Sequence, residues 1–423
     1  MQQINQTRFW QRTVVPACSV VPGHRRYLAG IGTLTVLLTM SLLTACLGPG
    51  RPEGGLGAIV KWKNLHGWNQ DRLADAWPAL LSSCSKLEKR DDVWGDLCLE
   101  ARLMGQPNDD EARAFFETRF IARQVVAGDD ENDDGLITGY YEPMLEGSKV
   151  KTERFRYPVY RRPDDLLIID LGDLYEDLKG KRVRGRLEGD NRVVPYFSRE
   201  EIENGGNPLK GQEIAWVDDP VSLFFLHIQG SGVIHLQDDT LLAVGYHDQN
   251  GHPYYAIGRR LIEEGEIKQE DMSMQAIREW LINHPDRAAD LLNNNPSYVF
   301  FDVRPSTESG PIGSLGVPLI AQRSIAVDRR VIKLGLPVWL DTTLPAEDAD
   351  KKETPPYQRL VFAQDTGGAI NGSIRADLFW GRGPQAGEYA GRMRQPGSLY
   401  VLTPVQRSAA NRRAEPESGK RGS

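Results

Sequence analysis

Gln364-Asp365-Thr366-Gly367-Gly368-Ala369-Ile370-Asn371-Gly372-Ser373-Ile374-Arg375-Ala376-Asp377-Leu378-Phe379-Trp380-Gly381 places two carboxylates, Asp365 and Asp377, on either side of a glycine-rich turn. Leu360, Val361 and Phe362 lead into it as an apolar run, which predicts a buried strand ending at Asp365. Gly367, Gly368 and Gly372 let backbone approach a ligand closely, so the turn is expected to face one. Asp377 follows in a segment, Ile374 to Trp380, rich in apolar and aromatic residues. Desolvation there, together with the charge of Asp365, raises its pKa and keeps a proton available to a general acid. A lone Asp-Gly pair would mean only a turn, because Asp side chains hydrogen-bond nearby amides. The length of this string and its aromatic end point instead to acid/base chemistry on a bulky polar polymer.

Other chemistries fit less well. Asp365-Thr366-Gly367 matches the aspartic-protease triplet, but those enzymes need two copies, and Gln364 is polar where they carry an apolar residue. Ser231, within Gln229-Gly230-Ser231-Gly232, lacks the flanking pattern of a nucleophile elbow. The pair Glu308-Ser309, which marks lysozyme-like sites, lies among Pro305, Gly310, Pro311 and Gly313 in loop-like sequence. His227, His235, His247 and His252 have no zinc-motif spacing, the last two being read in a turn, so neither metal nor cofactor is expected.

The N-terminus reads as an export signal, residues 1–45. Arg8, Arg12, Arg25 and Arg26 precede an apolar run from Leu28 to Leu43 that is short for a membrane span. Leu43-Thr44-Ala45-Cys46 is similar to the bacterial lipobox, which makes Cys46 the acylated first mature residue, and Leu47 in place of Asp points to the outer membrane. Cleavage removes four arginines and no acid, taking the formal charge from −7 to −11. So acidic a protein is a poor nucleic-acid binder. Cys84 and Cys98 remain, a plausible disulfide in an oxidising compartment or else two buried thiols.

Two domains are expected from the mature length. Gly48 to Gly57 reads as part of a tether spanning residues 46–60. From Trp68 to Phe120 the periodicity is helical; an acidic loop, Asp129 to Asp134, closes that part, and Leu136 to Tyr141 reads as a strand. A β-rich region follows, with short runs at Arg192 to Phe197, Val221 to Ile228 and Thr240 to Gly245. Met274, Ile277 and Leu281 mark a short helix stopped by Pro285, and Asn293-Asn294-Asn295-Pro296 looks like a crossing to another domain. Val299 to Val303, Arg323 to Asp328, Pro337 to Asp341, Arg359 to Gln364 and Ser398 to Leu402 read as strands of a compact β-domain, before a polar tail at 405–423 that is expected to be disordered.

Four segments carry a family resemblance: Thr138-Gly139-Tyr140-Tyr141-Glu142-Pro143, Phe224 to Gly232, Gly313 to Leu319 running on to Ala326-Val327-Asp328-Arg329-Arg330, and the opening string. Through them almost the whole mature chain resembles the membrane-bound lytic murein transglycosylase A family. The last two also resemble the three-aspartate domain of wall-acting proteins, here Asp328, Asp365 and Asp377. The resemblance implies a mainly β fold with N-terminal helices: a discontinuous double-psi β-barrel domain, 61–148 and 296–404, with a β-rich substrate-binding domain inserted at 149–295 and a groove between them. It also implies lytic cleavage of peptidoglycan glycan strands without a cofactor, with Asp377 as catalytic acid and Asp365 as its partner. Tyr140 and Tyr141 would stack on sugars, core packing being the other reading, while Gln229, Gly230, Ser231, Asp328, Gly367, Gly368 and Ala369 would line the substrate. Further partners are the outer membrane, through the lipid anchor, and other cell-wall enzymes; nothing demands more than a monomer. The alternatives are a non-catalytic wall-binding lipoprotein and a hydrolytic muramidase.

Overall fold

The computed structural model describes residues 54–128, 135–179, 181, 183–305, 310–346 and 354–405. The export signal, Cys46, the acidic loop, Glu308-Ser309 and the tail beyond 405 lie outside the described residues.

Eight strands form the first sheet: β1 (Gly55–Val60), β2 (Phe120–Val126), β3 (Leu136–Glu142), β13 (Ser324–Val327), β14 (Pro337–Thr343), β15 (Pro356–Asp365), β16 (Arg375–Arg382) and β17 (Arg394–Pro404). Their order is β1-β2-β17-β14-β15-β13-β16-β3, and β17 also pairs with β3. Six strands, β3 and β13 to β17, therefore form a closed ring, with two parallel contacts, β13–β15 and β16–β3. Closure depends on the length of β17, whose Arg394 to Pro396 pair with β3, Gly397 to Val401 with β14, and Tyr400 to Pro404 with β2. Where β17 passes between partners a side chain cannot fit: a Cβ on Gly397 would lie 2.6 Å from Ile137 and 3.0 Å from the Asp341 carbonyl.

Three helices cover the ring: α1 (Trp77–Leu87), α2 (Asp92–Leu103) and α3 (Asp109–Arg119). Their apolar faces meet in an aromatic cluster, with Trp77 edge-on to Phe115 at 5.0 Å and Phe116 against Phe120 at 5.7 Å. Cys84 and Cys98 are disulfide-bonded and join α1 to α2. Two buried polar links hold this layer to the ring. Asp71 receives a bidentate pair from Arg323 at 2.7 and 2.9 Å, and also the Leu360 amide. Gln364, fully buried, donates to the Ala79 carbonyl and to Ser83 while accepting from Ser324.

Between β3 and β13 the chain builds a second sheet from β4 (Met144–Ser148), β5 (Tyr157–Tyr160), β9 (Glu213–Val217), β10 (Ser231–Leu236), β11 (Leu241–Gln249) and β12 (Val299–Arg304). Its order is β12-β11-β10-β4-β9-β5, and a small third sheet runs β6 (Leu167–Ile169), β7 (Val183–Glu188), β8 (Arg192–Pro195). Helices α4 (Arg199–Asn204), α5 (Pro220–Gln229), α6 (Ile257–Glu263), α7 (Met274–Asn283) and α8 (Pro285–Asn293) accompany them; α9 (Pro384–Arg392) follows β16.

Several expectations are corrected. Residues 55–60 are not tether but strand β1, because the edge of β2 would otherwise present unpaired backbone groups. Phe120 is not helical; it opens β2. Met144 to Ser148 and Val299 to Arg304, placed by sequence in the first domain, are hydrogen-bonded into the second sheet, where Phe301 is fully buried. Val221 to Ile228 is helix, not strand: Asp219 accepts from the Val221 and Ser222 amides, and Pro220 occupies the first turn. That helix is apolar nearly all round because it is packed on several sides. His247 lies in strand β11, and Pro285 both stops α7 and starts α8, whose first turn tolerates a missing amide hydrogen.

Candidate active site

Strands β15, β13, β16 and β3 run side by side, and their register sets Asp365, Ala326, Asp377 and Thr138 in one row. At a strand spacing of about 4.8 Å, the two aspartates are roughly 10 Å apart at Cα. Only the methyl group of Ala326 stands between them in that row.

Asp377 is half-buried. Its Oδ1 accepts a 2.5 Å hydrogen bond from the Thr138 hydroxyl. Arg375 donates from one nitrogen to Thr138 Oγ1 at 2.9 Å, and to the Leu136 and Ala376 carbonyls at 3.1 and 2.7 Å. Burial pushes the Asp377 carboxyl up to about 6; the Thr138 bond and the Arg375 charge oppose that, while the Asp365 charge adds to it. The group is therefore poised to hold a proton in mildly acidic solution and to release it near neutrality.

Asp365 has a richer set of donors. The Ser314 amide and hydroxyl reach Oδ1 at 2.9 and 2.8 Å, the Thr366 amide at 2.9 Å, and the Tyr140 hydroxyl reaches Oδ2 at 3.0 Å. Burial raises its pKa too, but these four donors favour the carboxylate. Against the one direct donor on Asp377 among the described residues, that contrast makes Asp365 the better anion and Asp377 the better acid. Tyr140 rests against Phe379 with ring centroids 5.3 Å apart. Burial and the charges of both aspartates hold its phenol well above its ordinary pKa, so it stays a donor.

The remaining sequence candidates divide. Tyr141 is buried in the first core against Gly387, as the core-packing alternative of its two readings has it. Its amide donates to Gln229 Oε1 at 3.1 Å, so Gln229, at the end of α5, braces β3 one residue beyond Tyr140. Gly230 caps α5 in the left-handed region, φ 75°, and Ser231 pairs with Gly245 in β10–β11. Asp328 is buried and takes Arg330 and the Gly372 amide, which hold its carboxyl down at about 2. It anchors the glycine-rich turn, and its buried, ion-paired carboxylate corrects its reading as a substrate ligand. In that turn Gly368 and Ala369 are exposed, and the Ile370 amide bonds the Gly367 carbonyl. Sequence reasoning assigned no role to Thr138, Arg375 or Ser314, although all three lie in segments that carry the family resemblance; their signal was adjacency to residues already singled out.

Residues 136–302 match the family model described as the MltA specific insert domain, and residues 323–403 match the 3D domain. Membrane-bound lytic murein transglycosylase A of Escherichia coli K12 is 35% identical over 280 residues, which cover 66% of this chain and 68% of that protein. The chain belongs to the membrane-bound lytic murein transglycosylase A family. Among solved structures, the membrane-bound lytic murein transglycosylase of Agrobacterium tumefaciens is 34% identical, with a TM-score of 0.71, over 85% of this chain and 99% of that one. E. coli MltA with bound chitohexaose is 28% identical, with a TM-score of 0.60, over 84% and 93%. In this MltA family member the site draws on both matched regions, since Thr138, Tyr140 and Gln229 fall in the first and Asp365 and Asp377 in the second. No helix among the described residues is long and apolar enough to cross a membrane.

Proposed function

We propose that the protein is a peptidoglycan lytic transglycosylase that cleaves the bond between N-acetylmuramic acid and N-acetylglucosamine and leaves a 1,6-anhydromuramoyl end. The observation that carries this reading is the unequal pair: Asp377 with a pKa near 6, and Asp365 held by four donors. Protonated Asp377 gives its proton to the glycosidic oxygen as the bond to the anomeric carbon breaks. The resulting carboxylate then takes the proton from the muramoyl 6-hydroxyl, which closes on that carbon. No water is consumed, so the base that most glycosidases need for water is dispensable, and the internal hydroxyl reacts at high effective molarity. Asp365, negative beside the developing positive charge, stabilises it and keeps the proton on Asp377. Tyr140, Gln229, Gly230, Ser231 and the turn from Gly367 to Ala369 would line the strand's path.

The ring of strands would be a double-psi barrel, interrupted between β3 and β13 by the substrate-binding insert, with the glycan in a groove between the two. The parallel contacts β13–β15 and β16–β3 support this, as does the chitohexaose bound by a relative. Acylation at Cys46 would tether the enzyme to the outer membrane facing the wall, in keeping with its relatives' names and with the Cys84–Cys98 disulfide.

Mass spectrometry of soluble products from purified wall tests the reading. Anhydromuropeptides are expected from the native protein and none from Asp377→Ala. Products heavier by one water would mean a hydrolytic muramidase. Sedimentation with the wall and no products would mean a binding protein.

A further inference from the structure

We infer that Arg375 and Thr138 are positioning residues that confine the transferable proton of Asp377 to its Oδ2 atom, so that one oxygen both gives and takes back the proton. The inference rests on Asp377 being the acid, as proposed above. Its first step is hydrogen-bond inventory. A guanidinium has donors and no acceptor. Thr138 Oγ1, 2.9 Å from Arg375, must therefore accept there. The hydroxyl has a single proton, and Asp377 Oδ1 at 2.5 Å is where it goes. An Oδ1–H aimed at Thr138 would leave the hydroxyl's own proton without an acceptor among the described residues, so Oδ1 stays an acceptor in both states of Asp377 and the carboxyl hydrogen resides on Oδ2.

The arrangement is built in rather than incidental. Asp377 and Thr138 are paired residues of β16 and β3, and Arg375 is locked across the same two strands by the Leu136 and Ala376 carbonyls. Arg375 also polarises the hydroxyl it donates to, which strengthens the hydroxyl's own bond to the carboxylate. The other groups facing Asp377 are Asp365 from β15 and Tyr140 from β3, while β13 contributes only the methyl group of Ala326. In the reaction the Oδ2–H bond breaks as the leaving sugar oxygen gains that hydrogen and the anomeric C–O bond cleaves. The 6-hydroxyl then loses its hydrogen to Oδ2 as its oxygen bonds the anomeric carbon, so atoms and charge balance without a co-reactant. The acid need not rotate between the two halves.

Thr138→Val, Thr138→Ser, Arg375→Gln and Arg375→Lys in the full-length protein test this through the pH profile of anhydromuropeptide release. Hydroxyl and guanidinium both favour the ionised acid. Their loss should move the limb where activity falls with rising pH upward by about one pH unit. Thr138→Val and Arg375→Gln should show that move with kcat down tenfold or more and KM little changed. Thr138→Ser keeps the hydroxyl and should retain the native profile, and Arg375→Lys should recover part of it. A purely structural role would lower Tm and leave the limb of every folded variant where it was; that outcome overturns the inference. Native-level activity in Asp377→Asn would instead overturn the assignment of the acid itself.

Discussion

At Asp377 function and stability pull in opposite directions. Its pKa rises from 3.8 to about 6 on folding, so the folded state favours the protonated form. The cost of ionising it appears as pH rises above 3.8 and is complete above 6. Asp377→Asn should therefore raise Tm by a few degrees at pH 7.5, have little effect at pH 4, and lower product release by about 10²–10⁴-fold. Differential scanning fluorimetry at the two pH values beside a product assay checks this; a lower Tm at pH 7.5 would contradict the burial argument. Asp365 and Asp377 were legible in the sequence because one glycine-rich turn separates them. Thr138 was not, since 239 residues separate it from the carboxylate it touches and only the parallel pairing of β16 with β3 brings them together. Nor could sequence choose between the two tyrosines. Successive residues of a strand face opposite ways, and register alone decides that Tyr140 meets Asp365 while Tyr141 enters the core.

Strands were easier to read than their partners. The apolar run before Asp365 predicted β15, and the polar Gln364 at its end was noticed only as a mismatch to a protease. It is a staple: all three of its hydrogen-bond partners are buried, and two belong to α1. Gln364→Ala should strand those groups and cost about 2–4 kcal/mol in urea unfolding, with a drop in activity, because the neighbouring residue is Asp365. An unchanged midpoint would mean the layers are held elsewhere. The apolar run of α5 was misread as strand because periodicity fades when an element is packed on several sides. The informative signal was Asp219-Pro220 at its start.

For the molecule as a whole, sequence separated helical and β-rich parts, but missed which strands change sheets. Pairing of Met144 to Ser148 and of Val299 to Arg304 depends on neighbours far along the chain. Asp71 with Arg323, both nearly inaccessible, ties the segment ahead of α1 to the ring. Removing one partner leaves a charge buried alone, so Arg323→Ala should cost about 3–5 kcal/mol, against far less for exposed pairs such as Arg192 with Glu188. Chemical denaturation of Arg323→Ala and Arg192→Ala side by side decides it. The final strand, β17, has a further consequence. It clasps β3, which carries Thr138 and Tyr140, and it completes the ring that holds β16. A polypeptide emerging amino end first can close this ring only once its last described stretch has arrived.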